Sequence, residues 1–238
     1  MTSTKKTFCF GEDWLTAGIA IAIAGGETRM ELTSDTRKKV ISSWKTVQNI
    51  VEKGRPVYGI NTGFGPLCTT KISKEDTTIL QTNILQSHSV GVGDSIAPEI
   101  AKLMMILKVH ALSKGYSGIA ETTLDRIIWH IENDAIPVVP SQGSVGASGD
   151  LAPLSHLFLP LIGLGKVHFQ GKEISTSSLF TKAGLKPLAL GPKEGLALIN
   201  GTQFIAAHAV KVVQKLQSCL AHADVIGALM IEGLQGSV

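Results

Sequence analysis

The chain is poor in charge, in aromatic residues and in cysteine. Of its 238 residues, 17% are Asp, Glu, Lys or Arg and 5% are Phe, Trp or Tyr, where a soluble domain ordinarily carries about 25% charged residues. Mean hydropathy is positive. So little polar surface cannot coat an isolated monomer comfortably, which predicts burial of part of the surface in an oligomer or against further sequence. Cys9, Cys68 and Cys219 are odd in number and widely spaced, with no Cys-x-x-Cys pair. That excludes a disulfide framework or a cysteine zinc site and fits a reducing cytoplasm. The net charge of +3 is scattered in short groups such as Lys5-Lys6 and Arg37-Lys38-Lys39, so neither nucleic acid nor an acidic membrane is an expected partner. The apolar run Leu157 to Leu164 is too short to span a bilayer. Lys5-Lys6 followed by apolar Leu15 to Ala24 mimics a secretory signal, but Glu12 and Asp13 interrupt the approach to the run.

What is present is mostly helical periodicity. Val40, Ile41, Trp44, Val47, Ile50 and Val51 predict an amphipathic helix over Thr36 to Lys53 behind an Asp35 cap. Ser73 with Asp76 reads as a capping box ahead of Ile79, Leu80, Ile84 and Leu85, and Pro98 opens a helix that closes at Leu112 before Gly115. Glu121 to Asn133 is a further helix, and Ile136 to Pro140 leaves it as an extended segment. Strand signals are limited to Thr28 to Leu32 and a hairpin over Lys166 to Ile174 turning at Gln170-Gly171. Ser175 to Gly191 reads as a loop with room for one short helix. From Glu194 to Leu234 a broad apolar face predicts one long helix buried against partners. The seven histidines show no shared metal spacing, and His110, His130, His156, His168, His208 and His222 read as structural.

The run Gly143-Ser144-Val145-Gly146-Ala147-Ser148-Gly149-Asp150-Leu151-Ala152-Pro153-Leu154 carries the most chemistry. Gly143 and Gly146 permit tight turns, and Asp150 with Pro153 marks a helix start. No Lys-Ser or Lys-Thr follows at the offset of a phosphate-binding loop, and Gly149 directly follows Ser148, so the hydrolase elbow Gly-x-Ser-x-Gly is not matched. An Ala-Ser-Gly tripeptide has a rarer option. The Gly149 nitrogen can attack the Ala147 carbonyl, and dehydration of ring and serine leaves an electrophilic methylidene on a five-membered imidazolone. Glycine suits the third position because ring closure needs a compact, strained backbone.

Around that run, Pro137 to Gly171 closely resembles the signature of the aromatic amino acid ammonia-lyase family, most of all its histidine-directed branch. Tyr58-Gly59-Ile60-Asn61-Thr62-Gly63-Phe64-Gly65 resembles the family's tyrosine loop, and Lys193 to Gln203 its asparagine segment. The resemblance implies a mainly α fold. An N-terminal helical region with a few short strands (1–115, with the tyrosine loop) would precede the Ala-Ser-Gly region and the start of a truncated bundle of long helices (116–238). It implies elimination of ammonia from L-histidine to give trans-urocanate, in a cytoplasmic homotetramer when full length. The 4-methylidene-imidazol-5-one formed from Ala147, Ser148 and Gly149 would be the electrophile, with no metal or dissociable cofactor.

In the roles carried over from the family, Tyr58 is the base that takes the β-proton. A phenol is a weak acid, so its phenolate needs stabilising, and Gly59, Gly63 and Gly65 suit a mobile lid. His88, in Ser87-His88-Ser89, would contact the substrate side chain, and Asn200 the prosthetic group and the substrate amine. Gln203 points to the histidine branch. The family's carboxylate-binding arginine, second tyrosine and glutamate lie beyond Val238, so the isolated chain is expected to be inactive. Rival readings are a tyrosine- or phenylalanine-directed lyase or aminomutase, a serine hydrolase using Ser148, and an inactive truncated relative serving as an interaction or structural subunit.

Overall fold

The computed structural model describes residues 6–54, 56–63, 72, 74–145 and 149–236. Ala147, Ser148, Phe64, Gly65, Cys68 and Ser73, on which several expectations fall, lie outside them.

The fold is mainly helical, as expected. In chain order it comprises β1 (Thr7–Cys9), α1 (Ala17–Ala24), β2 (Arg29–Glu31), α2 (Ser34–Lys53), α3 (Lys74–His88), β3 (Val92–Ser95), α4 (Pro98–Leu112), α5 (Glu121–Glu132), β4 (Ile136–Pro137), β5 (Pro140–Gln142) and α6 (Leu151–Phe158), which runs on into a 3-10 turn. The hairpin β6 (Lys166–Phe169) and β7 (Lys172–Ser175) follows, then α7 (Thr176–Ala183), α8 (Glu194–Ile199) and α9 (Gln203–Gly233). The strands do not form one sheet. β1 pairs in parallel with β2, β3 antiparallel with β5, and β4 joins the predicted β6–β7 hairpin. β1 and β3 have no strong sequence signal; each is three or four residues long and exists because a partner strand lies beside it.

Local chemistry explains most boundaries and corrects some. The cap of α2 is Thr33, whose Oγ1 accepts from the Thr36 amide at 3.1 Å, and Asp35 stands in the first turn instead. Both residue types favour a helix start, and Thr33 is the one in extended backbone. Gly54 closes the helix in the left-handed region. The signal-like apolar run is α1, capped by Thr16, with Ala20 and Ile23 buried in the core. The loop expected after the hairpin does hold a short helix, α7, capped by Ser175.

The largest correction concerns the C-terminal segment, which is not one helix. Asn200 is extended (φ −84°, ψ 124°) and Gly201 has φ +145°, a conformation that favours glycine, so the chain breaks there between α8 and α9. Within this chain α9 has little cover, Ala207 being its one buried residue, and the exposed Val212, Leu216, Leu220 and Leu229 are the surface for which burial against partners is expected. By length and composition alone, Glu194–Gly233 is apolar enough to cross a membrane.

The main core lies around α4, which packs against α1, α5, α9 and β4. A smaller core of Ala135, Val167, Leu179 and Phe180 sits under the β6–β7 hairpin. Beside α4, helix α3 packs on both α6 and α8, and α6 packs on α8. The ends of these three helices carry His88, Asp150 and Asn200.

Candidate active site

Gly149 and Gly201, 52 positions apart by their numbers, meet through backbone. The Asp150 amide donates to the Gly201 carbonyl at 2.7 Å. Gly149 has φ +111°, and a Cβ there would collide with the same carbonyl oxygen. Glycine is therefore required twice over, by dihedral angle and by space.

Asp150 acts differently from the sequence expectation. It precedes α6 but makes no side-chain cap to that helix. Its carboxylate turns to α9, where Oδ2 accepts from the amides of Phe204 (2.9 Å) and Ile205 (3.1 Å), while Oδ1 accepts from Ser144 Oγ at 2.8 Å. Asp150 is fully buried, so these bonds replace lost hydration, and a carboxylate complements the partial positive charge of a helix N-terminus. One side chain thus fastens the Gly-rich loop to the start of α9.

The seat of α8 is built by residues with no obvious motif. Gln81 Oε1 accepts from the Gly195 amide at 2.9 Å, and a Cβ on Gly195 would lie 2.6 Å from the Gln81 carbonyl oxygen. Glu194 is buried and accepts from the Ala120 amide (2.9 Å), Thr123 Oγ1 (2.7 Å) and the Gly191 amide (2.6 Å). Lys108, 2% exposed within the apolar run of α4, donates from Nζ to the Asn200 carbonyl at 2.6 Å. Burial pushes its pKa down to about 7. A lone lysine inside Met104-Met105-Ile106-Leu107-Lys108-Val109 is the signal that could have revealed it.

His88 ends α3. Its Nδ1 lies 2.9 Å from the Ile84 carbonyl, which only accepts, so Nδ1 is the donor in that bond, and in the neutral ring Nε2 is the acceptor. The segment that follows is tied to the loop: the Gly91 amide donates to His156 Nε2 at 3.0 Å, and β3 pairs with β5 just before Gly143. His156 is thus a structural link from α6, and burial lowers its pKa.

Tyr58 is carried on the α2–α3 connection, in a turn where Gly59 has φ +74°. The turn is held, since Asn61 Oδ1 accepts from the Val57 amide at 2.8 Å and Ile60, Asn61 and Thr62 are buried. The tyrosine itself is 56% exposed. The structure thus joins Gly149 and Asp150 to Gly201, the residue after Asn200, sets His88 on the same group of packed helices, and carries Tyr58 on a separate anchored turn. An open groove of about 750 Å³ runs from α2 past Ile60 to Lys193; Lys38, Lys39 and Lys114 line it, and it does not include the Gly149–Asn200 junction.

The sequence pattern described as aromatic amino acid lyase matches residues 15–238. The chain belongs to that family. Among curated members of the aromatic amino acid lyases, the histidine ammonia-lyase of Shouchella clausii is 45% identical over 210 residues, covering 88% of this chain and 42% of that enzyme. The crystal structure of histidine ammonia-lyase from Trypanosoma cruzi superposes with a TM-score of 0.88 at 33% identity, over 97% of this chain and 45% of that one. Tyrosine aminomutase from Streptomyces globisporus gives 0.87 at 31%, over 95% and 42%. This aromatic amino acid lyase chain therefore spans about two fifths of the length of the curated relative quoted.

Proposed function

We propose that this chain is the N-terminal part of a histidine-directed ammonia-lyase, which eliminates ammonia from L-histidine to give trans-urocanate. The observation that carries the reading is the docking of Gly149-Asp150 on Asn200-Gly201, a backbone seat that admits only glycine at 149. A 4-methylidene-imidazol-5-one made from Ala147, Ser148 and Gly149 fits there. Gly149 already holds the conformation an L-residue with a side chain avoids, and Gln203 Oε1 is buried without a hydrogen-bond partner next to Gly201. When formed, the group supplies an electrophile that helps the amino group depart.

The chain's own residues supply the rest of the proposed chemistry. Tyr58 takes the β-proton on its phenolic oxygen, from a turn whose anchoring limits the motion of the loop at that end. His88 offers Nε2 as an acceptor for the N–H of the substrate's imidazole, a match that a hydrocarbon ring lacks. Asn200 contacts the substrate amine. Asp150 holds the loop to α9 and so keeps Gly149 in register with Asn200.

Identity is higher to the histidine ammonia-lyase of S. clausii than to the tyrosine aminomutase, which favours histidine; the shared fold keeps a tyrosine- or phenylalanine-directed lyase or aminomutase as the rival. The exposed apolar length of α9 supports a place inside a homotetramer in the full-length enzyme, and the isolated chain is inactive on this reading. An inactive relative serving as an interaction subunit would share that exposed helix. The reading also places the enzyme in the cytoplasm.

Intact mass spectrometry is the direct test. Closure and dehydration remove two waters from the chain, and a chain at its full genetic mass would sink both the lyase and the aminomutase readings. In a full-length version, turnover of histidine and none of tyrosine selects between them.

A further inference from the structure

Lys108 is a buried ionisable group that the proposed chemistry does not use. It sits between Leu107 and Val109 on α4, 2% exposed, where a leucine or methionine would pack without the cost of desolvating an ammonium. What lysine supplies in their place is a donor long enough to reach from α4 to the end of α8. Its Nζ donates to the Asn200 carbonyl at 2.6 Å, and Asn200 closes α8, where helix carbonyls lack intrahelical donors and carry partial negative charge. The next carbonyl, that of Gly201, accepts from Asp150. Two successive carbonyls are therefore held, one by Lys108 of α4 and one by the Asp150 amide. The following residues, Phe204 and Ile205, are held by the Asp150 carboxylate.

We propose that Lys108 is a positioning residue, whose ammonium holds the Asn200-Gly201 backbone in place as the seat for Gly149 and Asp150. The link to chemistry rests on the reading that Ala147-Ser148-Gly149 cyclises. Closure forms a bond from the Gly149 nitrogen to the Ala147 carbonyl carbon. The carbonyl oxygen leaves as water with the N–H hydrogens of Gly149 and Ser148, and the Ser148 hydroxyl leaves as a second water with the hydrogen on its Cα. The nucleophilic nitrogen belongs to the residue whose conformation the Gly201 carbonyl constrains. A seat that drifts lets Gly149 relax and slows closure.

The test compares the purified chain with Lys108→Met, which keeps length and loses the donor, and Lys108→Arg, which keeps a cationic donor. Intact mass reads ring closure, and hydrogen–deuterium exchange reads the seat. The expected result is a wild-type chain two waters short. In Lys108→Met closure is at least tenfold slower, with faster exchange confined to 149–151 and 200–205, and both effects are restored by Lys108→Arg. Complete closure in Lys108→Met with unchanged exchange overturns the proposal, as does loss of protection spread evenly over the molecule or a failure of Arg to rescue. Should Lys108→Met not fold by circular dichroism, Lys108→Gln, polar but too short to reach, is read by the same two measurements with the same expectations. A wild-type chain that keeps both waters sinks the cyclisation reading alone, and the local exchange pattern then decides the role of Lys108.

Discussion

Helices α4 and α9 are both apolar and lie against each other, yet one is interior and the other mostly surface. Pro98–Leu112 buries Ile100, Leu103, Met104, Ile106 and Val109 because α1, α5, β4 and α9 surround it. Gln203–Gly233 buries Ala207 alone, because only its first turns have neighbours. Apolar composition thus produces a core element where four neighbours converge and a mostly exposed one where neighbours reach only the first turns. Apolar residues state a demand for cover, and the number of elements that reach them decides whether it is met.

The contrast can be broken most severely on the α4 side. Leu103→Ala is expected to cost about 2–5 kcal/mol, the range for truncating a fully buried leucine, measured by urea denaturation. A loss no larger than that of an exposed leucine would show that α4 is not the centre of the core.

Acid should strike the same half of the molecule. His130 on α5 is buried, its Nδ1 bound to the Ala135 carbonyl at 2.8 Å, and burial pushes its pKa down from 6.5 to about 4. The folded imidazole stays neutral while the unfolded one takes a proton, so stability is complete above pH 6.5 and falls as the pH drops toward 4. The loss should be on the order of 3 kcal/mol. His130→Gln should flatten that part of the profile, and a profile unchanged by the substitution would show that other groups set the acid limb.

At the start of α9, Asp150→Ala removes the acceptor for two amides of that helix and for Ser144. It should cost about 2 kcal/mol and speed amide exchange at 203–206, with the middle of α4 unaffected. If Phe204 and Ile205 stay as protected as in the wild type, Asp150 is not what fastens α9. The smallest effect belongs to the bare helix: Leu216→Ala, at a site 57% exposed, should change stability by less than about 0.5 kcal/mol. A larger cost would mean that the α9 surface is covered in solution, and light scattering on both proteins would identify the association responsible.

Much of the fold was legible because local chemistry and tertiary structure agree. Pro98 begins α4, Glu121 begins α5, and Gln170-Gly171 turns the hairpin where its alternation and turn residues place it. The failures share a cause: the residue concerned is claimed by something distant in sequence. Asp150 reads as a cap for the helix it precedes and instead caps one that starts at Gln203. Glu194 to Leu234 reads as one helix because nothing in its periodicity marks the point where Gly201 must turn its carbonyl to Asp150. Lys108 drew no expectation from the sequence, because its partner, the end of α8, is 92 positions away.

By itself, the sequence determined the helical class, the chemistry open to Ala147-Ser148-Gly149, and the resemblance of the segments around Tyr58, His88 and Asn200 to one family. These depend on residue identity and short spacing, which a linear chain already contains. Tertiary structure alone decided that Gly149 rests on Gly201, that Asp150 serves α9, that Lys108 binds the Asn200 carbonyl, and that the chain itself covers only the first turns of α9. Each is a hydrogen bond or a burial between groups tens of residues apart, and such pairings exist only once the packing of α3, α4, α6 and α8 has brought their ends together.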